Sequence, residues 1–400
     1  MMTIYRPTLL KLALSAALFS APFHAAFAQD ANDIAERLKT LLAEQGTDLQ
    51  WTEVSGDADE MVLEGVTMGV PGEADRVQVG KVTIEGVSEE RGGYRIDTVT
   101  TEPFHIAEDR AAADVSAMTI SGLVVPSAKP ADPLGSLMMY ESAELASVQV
   151  KLADKPVFSL SNLTIQVTPP AEGKPLEFTG AAEKFSADLT TVEDANAKAM
   201  IEGLGYQSIN GTFEMAGSWQ PSDGRVALSQ YDIAVDDAGT FGVSFDFGGY
   251  TLAFVKSLQD IQKKMAEQPE GSENSAQGLA MLGLMQQLTF HGANIRFDDD
   301  SLTSRILEYY AKQQGLKPED IANQTKAVVP FFTAQLNNPE LSGQITAAVN
   351  AFLDDPQSIQ VTAAPTSPVP FAMIAAGAMA APLELPKTLG VTVTANEDRN

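Results

Sequence analysis

The sequence predicts an α+β protein: a large curved antiparallel β-sheet, shaped as a groove or an open barrel, with a helix-rich C-terminal third packed on it. Three observations carry that expectation. Apolar and polar residues alternate with period two in segment after segment between residues 50 and 250, the pattern of strands with one buried and one wet face. Turn-forming residues separate those segments, at Pro71-Gly72, Gly92-Gly93, Asp223-Gly224 and 236–239, where hairpin reversals belong. Beyond residue 250 the apolar spacing becomes helical. The expected organisation is therefore a signal peptide over 1–28, a β-rich region with an N-terminal helix over 29–250, and a helix-rich region with returning strands over 251–400.

The N-terminus has the three parts of an export signal. Arg6 and Lys11 supply positive charge, Leu12 to Phe23 form a short apolar run, and Ala26-Phe27-Ala28 offers a small-x-small cleavage site. The run is shorter than the roughly 20 residues that cross a bilayer. Cleavage after Ala28, no retained transmembrane span and a periplasmic location are the expectations, and with no cysteine in the chain a lipid-anchored start is excluded. Next, Ile34, Leu38, Leu41 and Leu42 recur on one helical face, with Asn32 or Asp33 as cap and Gly46 as stop.

Strand alternation is clearest in four places. Val148, Val150 and Leu152 share a face, as do Leu163, Ile165 and Val167; Phe213, Met215 and Trp219 form a third set, and Phe241, Val243, Phe245 and Phe247 a fourth. A short motif also echoes: Met61-Val-Leu-Glu-Gly-Val66, Val82-Thr-Ile-Glu-Gly-Val87 and Met118-Thr-Ile-Ser-Gly-Leu123. Its irregular spacing excludes a solenoid repeat; it describes a strand-and-bend unit in which glycine permits a bulge. A helix over 192–202, ended by Gly203, interrupts the strands. Further helices are expected over 250–267, 275–288, 302–314, 318–336 and 339–353, with strands over 289–297, 358–363 and 390–394. Ser301 or Asp300 is the expected cap of the 302–314 helix and Gly315 its stop. The uncharged stretch 369–383, bracketed by prolines, is expected to be a buried helix or a lid.

Composition narrows function. The chain has 26 Lys+Arg against 53 Asp+Glu, a net charge of −27; loss of Arg6 and Lys11 with the signal would leave 24 basic residues and −29. Such a surface repels nucleic-acid phosphates and anionic lipid headgroups, so no nucleic-acid partner is expected. Without cysteine there is no thiol chemistry, no iron–sulfur cluster and no thiolate zinc site.

Chemistry-bearing motifs are missing too. Gly-x-Ser-x-Gly, the phosphate-cradling loop and His-Glu-x-x-His do not occur, and Gly203-Leu-Gly205 lacks the third glycine of a dinucleotide turn. His105 and His291 sit beside predicted strands as structural or surface imidazoles. Asp298-Asp299-Asp300 lacks the spacing and turn glycine of a calcium loop and fits a loop leading into a helix cap. The expectation is a non-enzyme with no cofactor, no metal site and no catalytic residue. The positive signal is apolar: over 277–288 hydrophobic residues cover most of a helix circumference, and Met281, Leu282, Met285 and Leu288 are the candidate lining of an apolar-ligand site, methionine suiting surfaces that accept varied apolar shapes.

The opening helix, then "DLQWTEVSGDADEMVLEGVTM" and "GYQSINGTFEMAGSWQPSDGRVALSQYDIAVDDAGTFGVSFDFGGYT", resemble the AsmA-like and YdgA-like β-rich envelope proteins of Gram-negative bacteria. The likeness spans about residues 30–255 in style, without a signature motif, and the helix-rich C-terminal third departs from it. It implies a curved sheet with an apolar concave face and a role in lipid traffic or envelope maintenance, and it transfers no catalytic residue. The functional expectation is a non-enzymatic periplasmic protein binding lipid or another apolar ligand in a sheet groove. The alternatives are a structural envelope protein with no ligand and a periplasmic hydrolase whose site the sequence conceals.

Overall fold

A computed structural model describes residues 31–73, 75–127, 134–171, 173–266 and 275–398; the proposed signal peptide and its cleavage site lie outside them. The architecture is α+β, as expected, with every strand pairing antiparallel, open sheets, and helices concentrated toward the C-terminus. The chain divides into two compact units, residues 1–169 and 170–400. The change from strand-rich to helix-rich sequence near residue 250 thus falls inside the second unit.

The first unit opens on α1 (Ala31–Glu44). Asn32 and Asp33 lie in its first turn, and Gly46 follows it with φ +84°. Ile34, Ala35, Leu38 and Leu41 are buried along one face, as their spacing predicts. They meet Leu49, Met61, Leu63, Val66, Ile84, Ile96, Leu123 and Val125 in one core. Those residues come from β1 (Asp48–Gln50), β3 (Glu60–Gly69), β4 (Arg76–Glu90), β5 (Gly93–Thr101) and β8 (Met118–Val125). With β2 (Glu53–Gly56), β9 (Ser142–Leu152) and β10 (Lys155–Thr168), the pairing order is β2–β3–β4–β5–β8–β9–β10. β1 adds to β3, while a hairpin of β6 (Phe104–Glu108) and β7 (Ala111–Val115) adds to β9.

The echoed motif has a structural meaning. Gly65, Gly86 and Gly122, its fifth residues, take φ of +60°, +67° and +63°. The side chain after each glycine returns to the core, so successive inward residues are three apart instead of two: Leu63 and Val66, Ile84 and Val87, Ile120 and Leu123. β5 matches with Ile96 and Val99, without a glycine. On β4, β5 and β8 the bends align, Gly86 beside Asp97 and Asp97 beside Gly122, while the bend of β3 at Gly65 falls further along, where β4 has Gly80 at φ +85°. At Gly86 a Cβ would collide with the side chain of Asp97.

Asp48 ties β1 down. Its carboxylate accepts a hydrogen bond from Arg76 Nη1 at 2.6 Å, and Arg76 Nη2 donates to the Asp48 carbonyl at 2.9 Å. The Arg76 hydrogen bond, helped by one from Gln50, holds the Asp48 carboxyl below the usual carboxylate range.

The second unit is a sheet of β11 (Leu176–Asp188), β12 (Ser208–Gln220), β13 (Arg225–Val235), β14 (Gly239–Gly248), β15 (Thr289–Asp299), β16 (Ser358–Ala363) and β18 (Val391–Ala395) in that spatial order, with β17 (Val369–Pro370) beside β15. Its helices are α2 (Ala195–Leu204), α3 (Leu252–Ala266), α4 (Ser275–Met285), α5 (Leu302–Gln314), α6 (Pro318–Thr333), α7 (Pro339–Asp354), α8 (Phe371–Ala380) and α9 (Leu385–Thr388). α7 packs against β18, and Asn396 Nδ2 donates to the carbonyls of Ala351 and Asp355 at the end of that helix.

Three expectations need correction. α2 runs through Gly203 and ends at Gly205 (φ +82°), whose N–H reaches Ile201 and Glu202; Gly203 is small because the ring of Tyr309 on α5 lies where its Cβ would be. Ser301 holds the N-cap position of α5, as expected, but makes no side-chain cap bond: its hydroxyl donates to the Asp237 carbonyl and accepts from Arg305 Nε. The side-chain bond to the helix start comes from Asp299, whose Oδ1 accepts from Thr303 N at 2.8 Å and from Thr303 Oγ1 at 2.7 Å. α8 is not buried: Met373 is 61% and Met379 82% exposed. A helix apolar on all sides can turn only one of them to the protein; Phe371 at its start makes the ring contacts, and Gly377 lies against Leu385.

Two outcomes test this description. Gly86→Ala should lower urea-melt stability by about 1–3 kcal/mol, because it forces a left-handed alanine against Asp97, whereas Gly343→Ala, in open space on α7, should be neutral or stabilising by up to about 1 kcal/mol. Since the folded carboxyl of Asp48 titrates below its unfolded value of about 3.9, its contribution is complete above that pH and lost as pH falls through the folded value. Asp48→Asn should accordingly flatten the acid limb of the stability–pH curve and leave the neutral limb parallel to wild type.

Candidate functional site

Strand register in the second unit sorts side chains into two unlike faces. On one face Phe213, Ile233, Phe241, Phe297 and Ile359 lie directly opposite one another in a row across five strands. The next row is Val243, Ile295, Val361 and Val393, and the one after it Leu228, Phe245, Ala293, Ala363 and Val391. The opposite face carries Asp232, Gly242, Arg296, Gln360 and Thr394 in one row and Ser244, Asn294, Thr362 and Thr392 in another. Polar partners are matched there: Asn294 Nδ2 donates to Thr362 Oγ1 at 2.8 Å, and Arg296 Nε to Asp298 Oδ1 at 2.8 Å.

The apolar face is covered at its two ends and open between them. At one end Trp219, Phe247, Tyr250, Phe254, Phe290 and Phe371 form a chain of ring contacts with centroids 5.4–6.4 Å apart. Trp219 Nε1 donates to the Tyr250 carbonyl at 2.8 Å, and burial pushes the Tyr250 phenol above its ordinary pKa. In the middle, Ile295 and Val361, which face each other, remain 49% and 42% exposed, and Phe241 in the neighbouring row 44%, unusual for large apolar side chains set side by side.

At the other end α2 roofs the sheet over a cavity of about 510 Å³. Asp194 caps this helix by accepting from Ala197 N at 2.8 Å, and Met200, Ile201 and Leu204 form its underside. Ile209, Ile233, Val235, Phe241 and Phe297 are the floor; Leu189, Tyr206, Ala238, Gly239 and Leu302 complete the wall. No ionisable carboxylate, amine or guanidinium lines it. The one polar side-chain atom of the lining, the Tyr206 hydroxyl, is committed to the Asp237 carbonyl at 2.8 Å. Beside the wall, Arg305 of α5 sits over the Tyr206 ring with its guanidinium carbon 4.8 Å from the centroid, and donates from Nη1 to the Leu204 carbonyl (3.2 Å) and from Nε to Ser301 Oγ (3.1 Å).

The residues named from sequence lie elsewhere. Met281, Met285 and Leu288 are half-buried and Leu282 is 47% exposed; none of the four lines the 510 Å³ cavity. The core contact of their helix is Leu284, and α4 packs against α3 and α8. The alternation that flagged Phe241 did point to the floor of the cavity, and Phe213 lies in the same row outside its lining. The roof was accessible only as the apolar side of an interrupting helix.

The remaining polar groups have structural settings. His105 Nδ1 lies 2.7 Å from Asp114 Oδ1, and Lys151 Nζ donates to Asp114 Oδ2 at 2.6 Å. Lys151 first, then His105, lowers the Asp114 pKa. All three are solvent-accessible on adjoining strands. His291 Nε2 is 3.2 Å from Thr289 Oγ1. In the acid run, Asp298 meets Arg296 and Asp299 caps α5, and among the described residues no group of three or more His, Asp or Glu side chains converges as a metal site would require. No described helix is long and apolar enough to cross a membrane.

A family model described as "Uncharacterized protein" matches residues 232–396. The matched stretch holds much of the cavity floor, from Ile233 to Phe297, and excludes the α2 roof. Comparison with curated proteins finds no match.

The assignment of the cap is open to a direct check. Asp299→Ala should cost about 1 kcal/mol, the usual loss on removing a helix cap, measured by chemical denaturation. Asp300→Ala should leave the midpoint unchanged.

Proposed function

We propose that this is a non-enzymatic, exported protein of the cell envelope that holds the hydrocarbon part of a lipid-like ligand against the apolar face of its second unit, with the α2 cavity as the binding site. One observation carries the reading: a partly open space lined almost wholly by hydrocarbon adjoins in-register apolar side chains left exposed. The volume falls within the roughly 300–1,000 Å³ of small-molecule pockets. Its lining offers no group for general acid–base or nucleophilic chemistry, and its one hydroxyl is already used. Each methylene drawn from water into such a space is worth about 0.8 kcal/mol, so an acyl chain gains affinity with length until the space is filled. The export-type N-terminus supports the periplasmic side of the proposal, and the resemblance to β-rich envelope proteins agrees with it.

A fluorescent fatty-acid probe, with a long-chain alcohol as competitor, tests the site. Wild-type protein should bind saturably, and Met200→Asp, partly exposed in the free protein, should weaken binding about tenfold or more, because a bound chain would desolvate the new charge, with the circular dichroism spectrum unchanged. Leu282→Asp, away from the cavity, should bind like wild type. Absence of saturable binding by the wild-type protein would leave the structural envelope reading in its place.

A further inference from the structure

We infer that Arg305 is the head-group receptor of the α2 cavity, so that its ligand is an anionic amphiphile: a single hydrocarbon chain ending in a carboxylate or phosphate. The inference rests on the proposed cavity function and adds to it the charge of the ligand. Arg305 itself is not part of the lining, but it touches residues that are. It stacks on Tyr206 and donates to the carbonyl of Leu204, while its Nε is tied to Ser301, one residue before the lining residue Leu302. The guanidinium is thereby held at the edge of the cavity by three contacts that leave its charge unneutralised: a ring face, a carbonyl and a hydroxyl.

The telling feature is a guanidinium at the cavity edge with no ion pair among the described residues; Arg37, likewise without one, donates to the Pro126 carbonyl in the first unit. Acids outnumber bases 53 to 26 in this chain, and Arg76, Arg95, Arg225 and Arg296 all pair with carboxylates. Arg305 has no carboxylate partner among the described residues, and its Nη2 makes no hydrogen bond among them. Asp237 is close enough for its carbonyl to take hydrogen bonds from both Tyr206 and Ser301, yet its carboxylate does not pair with Arg305. Guanidinium N–H groups aimed at an oxyanion make the stronger, charge-assisted kind of hydrogen bond, and a planar guanidinium suits carboxylate and phosphate alike. A half-buried cation fixed beside an otherwise uncharged cavity therefore selects ligands whose polar end is an anion.

Competition against the fluorescent probe with three ligands of one chain length decides the matter: dodecanoate, dodecyl phosphate and dodecanol. For wild-type protein at low ionic strength, an anion should bind about tenfold more tightly than the alcohol, the scale of one charge-assisted contact. A preference for dodecanoate over dodecyl phosphate, or the reverse, identifies which head group the site takes. Arg305→Gln should erase the preference by weakening the anion and leaving the alcohol unchanged, and Arg305→Lys should retain most of it. Equal binding of anion and alcohol by the wild-type protein, or a preference that survives Arg305→Gln, overturns the role of Arg305 while leaving the cavity reading intact. Failure of all three ligands to compete, dodecanol included, overturns the cavity reading and with it the inference.

Discussion

The hydrogen-bond register of the strands from β12 to β16 is the constraint on which the second unit depends. Side chains alternate across a sheet with period two, so a slip of one residue in any strand exchanges its faces. A slip at β15 would put Arg296 and Asp298 among Phe241 and Ile359, and would set Ile295 and Phe297 beside Gln360. Charges stripped of partners in an apolar row are costly, and this asymmetry holds each strand in place more firmly than its hydrogen bonds alone. The same register assembles the cavity floor, since Ile233, Phe241 and Phe297 are neighbours only across strands.

How far the sequence discloses this differs between the two links of the argument. Alternation is local, so the apolar sets Phe213–Met215–Trp219 and Phe241 to Phe247 are visible directly in the chain, as are the helix from 302 to 314 and the strand from 358 to 363. Register is not local. Phe241 meets Phe297 across 55 intervening residues that include two helices, and no pattern within either strand states that pairing. The candidate lining was drawn to Met281 and Met285 because an all-apolar helix is conspicuous in one dimension. In three dimensions that helix packs against other helices, whereas α2, with a modest apolar side, roofs the cavity. Capping is legible in position but not in chemistry for a similar reason: Ser301 is the N-cap residue, but its hydroxyl is engaged by the Asp237 carbonyl and Arg305 Nε, and Asp299 supplies the side-chain bond.

In the first unit the echoed glycine motif was legible as a bend, and its function in the fold is collective. A single bulge would tilt one strand against its neighbours. Bends at Gly86 and Gly122, matched between them by the glycine-free spacing of Ile96 and Val99, let β4, β5 and β8 turn together, and Gly65 bends β3 at a second level, so that α1 finds one continuous apolar surface.

The way α2 is fastened has a mechanical consequence. Its C-terminal end is pinned: Gly203 lies against Tyr309, the Leu204 carbonyl is held by Arg305, and Gly205 closes the helix in a left-handed turn. Its first turn is exposed and secured chiefly by the single Asp194 cap. The two ends are therefore unequally restrained, and fraying of this helix should begin at Ala195 rather than at Leu204.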